Sequence, residues 1–303
     1  GTEGQGVTFV YIDSTVGWRS VQDNQYATQG EAFISATGGT ITTDGDFKVH
    51  TFTGPGTFCV SSLASAPANN EVSYIVVAGG GAGGARNPGN SNGGGGGGGF
   101  RESKSGVDTY TASPIEGSTD ITVTATAFPI TVGAGGSGVT QQASPELQGN
   151  DGSNSVFSTI TSTGGGGGGG GGNNVPLTNG GVGGTQSPNT PAGGGGGATE
   201  VGQDNVSGTV SGRGGAGAST SISGSSVGYG GGGGGGASNP ATPHIAGAGS
   251  PDGSGAAGSD APAGNDATAN RGGGGGGGFA GGTPAGTSGA GGSGVVIIRY
   301  KFQ

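Results

Sequence analysis

Few residues in this chain have the types and spacing that chemistry requires. Its two histidines, His50 and His244, form no HxxH or HxxxH pair and are too few for a histidine metal cage. Alternation around His50 predicts a strand residue on the surface. Gly224-Ser225-Ser226-Val227-Gly228 matches the G-x-S-x-G of a nucleophile elbow, but no strand-to-helix turn can be placed there, and a chain this rich in Gly and Ser produces such matches by composition. No Gly-Lys pair exists for a phosphate loop. The one cysteine, Cys59, excludes an internal disulfide and reads as a small buried strand residue. Asp252, Asp260 and Asp266 could offer oxygens to calcium, although solvated turns are the expected reading, and whether they bind an ion stays open. Asp44 and Asp46 belong to a tight turn, and acid residues beside aromatic sugar platforms, as a capsule-degrading enzyme would carry, are missing. The expectation is a protein that is not an enzyme, with no metal and no cofactor.

Charge narrows the partners. The net charge is −9 and no basic cluster occurs, so attraction to nucleic acid or an anionic membrane is not expected. No apolar run is long enough to insert in a membrane, and no basic-then-apolar leader is visible. Gly1 is not an initiator methionine, which suggests a processed product or the ordered part of something longer.

The elements that would position any functional residue are unusual. Of 303 residues 84 are glycine and only 28% are hydrophobic, too little side-chain bulk for an ordinary core. Fourteen prolines and no Gly-X-Y period exclude collagen, and 9% charged residues do not fit the high-charge disorder signature. Composition shifts near residue 78, which predicts a β-rich attachment or shaft domain over 1–78 and a glycine-rich domain over 79–303. In the first segment short strands alternate with turns such as Asp44-Gly45. Phe47, Val49 and Thr51 fall on one face and Lys48, His50 and Phe52 on the other, the pattern of a half-buried strand. Val72 to Ala78 is apolar enough to be covered on both faces, and Trp18 is expected near an interface.

Five glycine runs follow, at 93–99, 164–172, 193–197, 230–236 and 272–278. Between them recur β-branched segments at 121–132, 155–163, 219–229 and 294–302, the last similar in character to Val72–Ala78, so that the two ends of the glycine region could pair in one sheet. A seven-residue polyproline II helix spans roughly 22 Å, and runs of similar length suggest layers of one slab. Only glycine lets such helices approach on all sides, because a Cβ would prop them apart. Ordering a residue costs about 1–2 kcal/mol while a net hydrogen bond returns about 0.5–1.5 kcal/mol, so the lattice needs the strands as anchors. The fold class expected is all-β plus a polyglycine/polyproline II helix sandwich, with essentially no α-helix.

The ordered series Tyr74-Ile-Val-Val-Ala-Gly-Gly-Gly, Phe128-Pro-Ile-Thr-Val-Gly-Ala-Gly-Gly, Gly152-Ser-Asn-Ser-Val-Phe-Ser-Thr-Ile-Thr-Ser-Thr-Gly-Gly-Gly, residues 221–234 and Gly292-Ser-Gly-Val-Val-Ile-Ile-Arg-Tyr resembles the glycine-rich, polyglycine II-type domain of bacteriophage tail fibres and tip adhesins, over residues 72–302. Phe9-Val-Tyr-Ile-Asp-Ser-Thr and residues 36–53 are similar to segments of cyanophage and other marine phage structural proteins. The resemblance implies a virion fibre protein or tail-fibre tip adhesin, extracellular on the tail or fibre. Its partners would be other fibre subunits, a homotrimer being one arrangement, and a bacterial surface receptor, either a glycan or an outer-membrane protein. A purely structural fibre or decoration protein is the alternative. An ice-binding or extracellular matrix protein is a third reading, opposed by irregular loops without threonine arrays.

Counting traverses from a base at residue 78, with 79–84, 133–138, 164–172, 193–197, 230–236 and 272–278 outward and 93–99, 180–184, 212–217, 247–258 and 287–294 returning, puts every strand-like segment at one end. The opposite end collects loops 85–92, 139–148, 173–179, 198–211, 237–246 and 279–286. Their polar residues on a rigid scaffold suit binding, with Arg86, Asn174, Leu177, Asn239, His244 and Phe279 as the expected receptor contacts.

Overall fold

The computed structural model describes residues 9–11, 18–20, 31–85, 91–140, 148–170, 191–237, 244–261, 263–279 and 286–303. The chain is all-β with essentially no helix. Among the described residues one 3-10 turn, Pro67–Asn70, precedes a central strand.

Strands β1 (Phe9–Tyr11) and β2 (Trp18–Ser20) form an antiparallel pair. A five-stranded sheet contains β3 (Ser35–Thr37), β6 (Gly56–Ser62), β10 (Ala127–Thr131), β11 (Ser155–Phe157) and β12 (Ile160–Ser162), in the order β12-β11-β10-β6-β3. The six-stranded sheet contains β4 (Thr40–Asp44), β5 (Phe47–Phe52), β7 (Glu71–Val77), β8 (Phe100–Ser103) and β15 (Val295–Lys301), in the order β4-β5-β15-β7-β8, with β9 (Ile121–Thr122) also against β7. A hairpin of β13 (Ala218–Thr220) and β14 (Val227–Tyr229) lies in cluster contact with this sheet. The C-terminal strand thus sits at the centre of its sheet: Ile297 faces Ile75 on β7 and Thr51 on β5. The expected pairing of the two ends of the glycine region is present, and the compositional boundary at 78 falls where β7 runs into the first glycine tract.

Both faces of β7 and β15 are covered, which explains their unbroken apolar runs. Phe58, Tyr74, Val76, Ile130, Phe157, Val296 and Tyr300 fill the space between the two sheets. On the other face Val49, Ile75, Val77, Phe100, Tyr110, Ile222, Tyr229 and Ile297 form a second core under the β13–β14 hairpin. Strand β5 lies beside β15 and is therefore buried on both faces, not half-buried as its alternation suggests. His50 corrects the surface reading: it is fully buried, with Nδ1 2.8 Å from the Gly38 carbonyl oxygen and Nε2 3.1 Å from the Tyr300 hydroxyl. Cys59 corrects in the other direction, since it is exposed on β6 between the buried Phe58 and Val60. Arg299, buried on β15, donates from Nε to Asp108 (3.0 Å) and from Nη1 to Asp44 (2.7 Å), which ties β15 to β4 and to the loop after β8.

The glycine tracts form a hydrogen-bonded lattice whose period is three. Along 79–84, Gly79 and Ala82 donate to Ser153 and Asn150, Gly80 and Gly83 to Gly292 and Gly289, and Gly81 and Gly84 to Gly96 and Gly93, all at 2.9–3.0 Å. Each third residue meets the same neighbour, the signature of a threefold polyproline II helix surrounded by others. A Cβ on Gly168 would fall on the Gly93 carbonyl oxygen, and one on Gly233 on that of Gly275. The exclusion of side chains is positional, however: Ala82 is fully buried within its tract.

Partner order reveals direction. Tract 93–99 is antiparallel to 79–84 and to 163–169, and 165–168 is parallel to 79–82, as expected. Two assignments change. Gly94 and Gly97 donate to Gly193 and Gly196, so 193–197 runs with 93–99 and returns to the base. Residues 200–203 then run outward against it, and 247–258 divides into a returning piece, a base turn at 250–253 and an outward piece that continues to 259. The return 264–268 lies parallel to 287–290. The segment 180–184 lies outside the described residues. With these changes β8 to β15 still all fall at one end.

Candidate functional site

The end of the slab opposite the strands is built from the turns between outward and returning tracts. Side chains close the lattice there because a tract that ends leaves backbone groups without a neighbour. Asn92, fully buried, donates from Nδ2 to the Gly278 carbonyl oxygen (2.9 Å) and accepts the Gly236 N–H at its own carbonyl (2.8 Å). Ser211 donates to the Gly236 carbonyl oxygen (2.8 Å) and accepts from the Ala192 N–H (3.2 Å). Ser288 accepts from the Val139 N–H (3.0 Å). These small polar residues hold the loop bases in fixed positions.

Of the expected receptor contacts, Arg86, Asn174, Leu177 and Asn239 lie outside the described residues. His244 and Phe279 are placed at this end and both are half-buried. Phe279 directly follows tract 272–278. His244 precedes Ile245, whose N–H donates to the Thr209 carbonyl oxygen (2.8 Å) and whose carbonyl accepts from the Ser211 N–H (3.0 Å). Loop 204–211 and residues 244–245 are thereby joined by a short parallel bridge between Val210 and Ile245. The joined loops leave Val206 67% and Ile245 62% exposed. Both lie in the expected loops 198–211 and 237–246, but neither is among the six expected contacts, because the sequence does not show which aliphatic residues of a loop stay exposed. The expected loop 198–211 is itself two parts, since Ala198 packs on the second core at the base and only residues from 204 onward reach the far end.

Two of the three acidic residues weighed for an ion are engaged by hydrogen bonds. Asp252 accepts from the Gly217 N–H (2.8 Å) and from the Ser254 hydroxyl, closing the base turn at 250–253, and so is no solvated turn residue. Asp266 accepts from the Ala290 N–H (2.7 Å), and Asp260 is exposed. Among the described residues no three His, Cys, Asp or Glu side chains gather as metal ligands would. Ser226 is exposed in the turn between β13 and β14. Glu200, at the turn that joins 193–197 to 200–203, is held below the usual carboxylate range by its hydrogen bonds from Arg213 and the Ala216 N–H.

A groove of about 480 Å³ opens at the base between β8 and the β11–β12 turn, lined by Tyr74, Phe100, Arg101, Glu102, Ile115 and Ile160 among others. Three of its polar side chains are already engaged. Tyr74 donates to the Thr119 carbonyl oxygen (2.6 Å), and burial, with Asp120 nearby, pushes its hydroxyl up to about 12. Glu102 accepts from Thr220 (2.5 Å) and from the Ser113 N–H (2.8 Å), and Arg101 donates to the adjacent Phe100 carbonyl oxygen (3.0 Å). The groove has a structural account, whereas the exposed aliphatics at the far end have none within the described chain.

No curated protein matches this sequence. A family described as a glycine-rich domain matches residues 51–301, from within β5 to the end of β15. That span takes in the central sheet strands with the whole lattice, so the strands are part of the same unit as the glycine. The chain belongs to this glycine-rich domain family.

Proposed function

We propose that the chain is a bacteriophage virion fibre protein or tail-fibre tip adhesin that binds a bacterial surface receptor non-covalently through the loop end of its glycine slab. The observation that carries this reading is the segregation of the molecule: β8 to β15 stand at one end, while the other end is a set of loops fixed by buried Asn92, Ser211 and Ser288. Such a scaffold fixes the bases of the loops before binding and so lowers the ordering cost, which favours affinity. The base, where β3 to β7 also sit, is left for attachment to the remainder of a fibre.

The test uses antibody fragments raised against the purified chain. Fragments that recognise the 204–211 and 244–246 loops are expected to label intact virions at a fibre end and to block adsorption to host cells. Fragments against the β11–β12 turn at the base are expected to leave adsorption unchanged. Labelling of virions without any block by loop-directed fragments would favour a purely structural fibre component, and the absence of label would remove the virion assignment.

A further inference from the structure

Among the described residues the two large sheets have four outer strands, and three are closed to further pairing. Strand β3 has a register break between Ser35 and Ala36 and is three residues long. Strand β12 is also three residues long. Strand β8 is covered by the loop that follows it: the Glu102 carbonyl accepts from the Gly117 N–H (2.9 Å), and the Lys104 N–H donates to the Glu116 carboxylate (3.0 Å). Strand β4 differs on every count. Its five residues, Thr-Ile-Thr-Thr-Asp, pair with β5 without a bulge, and Thr40 to Thr43 are exposed. It carries no lysine and no proline, the residues that usually protect an edge. Its one charge, Asp44, is engaged by Arg299. Ile41 is 45% exposed beside the fully buried His50 of β5.

We infer that β4 pairs antiparallel with β4 of a second copy of this chain, fusing two six-stranded sheets across a twofold axis at Thr42. The sequence of the strand is complementary to itself in that register. Thr42 faces Thr42 of the partner copy, each Ile41 faces Thr43, and each Asp44 faces Thr40. No two carboxylates stand opposite each other, as like charges in a cross-strand pair would weaken the contact. The two Ile41 side chains fall on one face as diagonal neighbours, within reach of one another. The interface is isologous, as twofold pairing requires. A heterologous threefold arrangement would need a second, different edge, and among the described residues the other three outer strands of the large sheets are closed.

Disulfide trapping tests the register in the full-length chain. In a Cys59→Ala background, which removes the exposed native thiol, Thr42→Cys places two thiols on residues about 4.5–5.5 Å apart, inside the range a disulfide spans. Thr40→Cys places them roughly 13 Å apart at ~3.4 Å per residue. Mild oxidation is expected to convert most of the Thr42→Cys protein to a covalent dimer and to leave Thr40→Cys monomeric. Sedimentation of the unmodified chain is expected to give a dimer, and Thr42→Lys, which sets two ammonium groups face to face, is expected to weaken it at least tenfold while its circular dichroism stays unchanged. Sedimentation as a monomer or a trimer, or equal trapping at positions 40 and 42, would overturn the inference.

Discussion

Phe157 and Gly233 are both buried at the centre of their regions, and their surroundings are opposites. Phe157 meets the rings of Phe58, Tyr74 and Phe128 at 5.8–6.4 Å between centroids. Its sheets touch through side chains while their backbones stand a sheet spacing apart. Gly233 has no side chain, and its N–H donates to Gly95 while its carbonyl accepts from Gly195. There the backbones themselves touch. In the sandwich, stability scales with apolar area removed from water. In the slab it depends on every N–H finding a carbonyl at a distance no Cβ permits. The two regions therefore respond in opposite senses to the volume of a substituted side chain.

Alanine serves as a probe in both. Phe157→Ala empties the space between the sheets and is expected to cost about 3–5 kcal/mol, read by denaturant unfolding of the whole chain. Gly233→Ala adds a single methyl and is expected to cost about 1–3 kcal/mol as overpacking. Gly106→Ala provides the contrast, because nothing lies within 4 Å of a Cβ at that position; its expected effect is within about 0.5 kcal/mol. Equal effects at Gly233 and Gly106 would mean that the slab is not a close-packed backbone lattice.

A cap substitution sharpens the comparison further. Asn92→Ala leaves the Gly278 carbonyl oxygen buried without its donor, and an unsatisfied buried group costs about 1–3 kcal/mol. Because Asn92 sits at the loop end, far from the sheets, hydrogen exchange should rise first at amides of 233–237 and 274–278, whereas exchange in β7 and β15 follows only global unfolding. Uniform acceleration across both regions would show that slab and sandwich open as one unit.

Much of this division is legible in the sequence, for a physical reason. Interior tracts are nearly solid glycine because neighbours surround them, although 79–84 admits the buried Ala82, while tracts at the margin admit a side chain wherever a position faces water. In 149–153 glycine recurs at 149 and 152 with exposed Asn150 and Asp151 between, and 212–217 carries Arg213 and Ala216 three residues apart. This period of three is the lattice's own. The tracts 200–203 and 264–268 escape the sequence reading because each retains a single glycine, Gly202 or Gly264, beside mostly exposed residues; glycine runs alone cannot register a traverse with one inner face. The expected direction of 193–197 has a different source, since the count takes 180–184 as a return between 164–172 and 193–197, whereas Gly94 and Gly97 donate to Gly193 and Gly196 and make 193–197 itself the return. His50 was misjudged because alternation reports which residues share a face and not whether a second layer covers that face.

At alkaline pH the sandwich should yield before the slab, in whose interior no titratable side chain lies among the described residues. Tyr74 and Tyr300 are both pushed up to about 12 by burial. An unfolded tyrosine loses its proton near its ordinary value of 10, so between pH 10 and 12 the unfolded chain binds fewer protons than the folded one, and stability falls as pH rises. Loss of near-ultraviolet tyrosine signal across that window is the expected reading, and a Tyr300→Phe variant should flatten it.

The smallest effect is expected on the acid side, at His50. Burial lowers its pKa below the ordinary 6.5, opposed by the Gly38 carbonyl that its ring contacts and assisted by Lys48. The folded imidazole thus binds a proton more weakly than the unfolded one. As pH falls below 6.5 the unfolded state gains protons that the folded state refuses, so stability present at neutral pH declines until pH passes the folded value, below which His50 adds no further slope. The ring lies edge-on to Phe58 and beside Tyr300, so its charging would strain the sandwich and leave the lattice bonds unaffected. His50→Gln, which keeps a donor for Gly38, is expected to lower stability at pH 7.5 while removing the part of the slope that begins near 6.5. An unchanged slope in that variant would assign the acid sensitivity to a carboxylate held low in the folded chain, such as Glu200 beside Arg213, and would separate the buried sheet from the acid response.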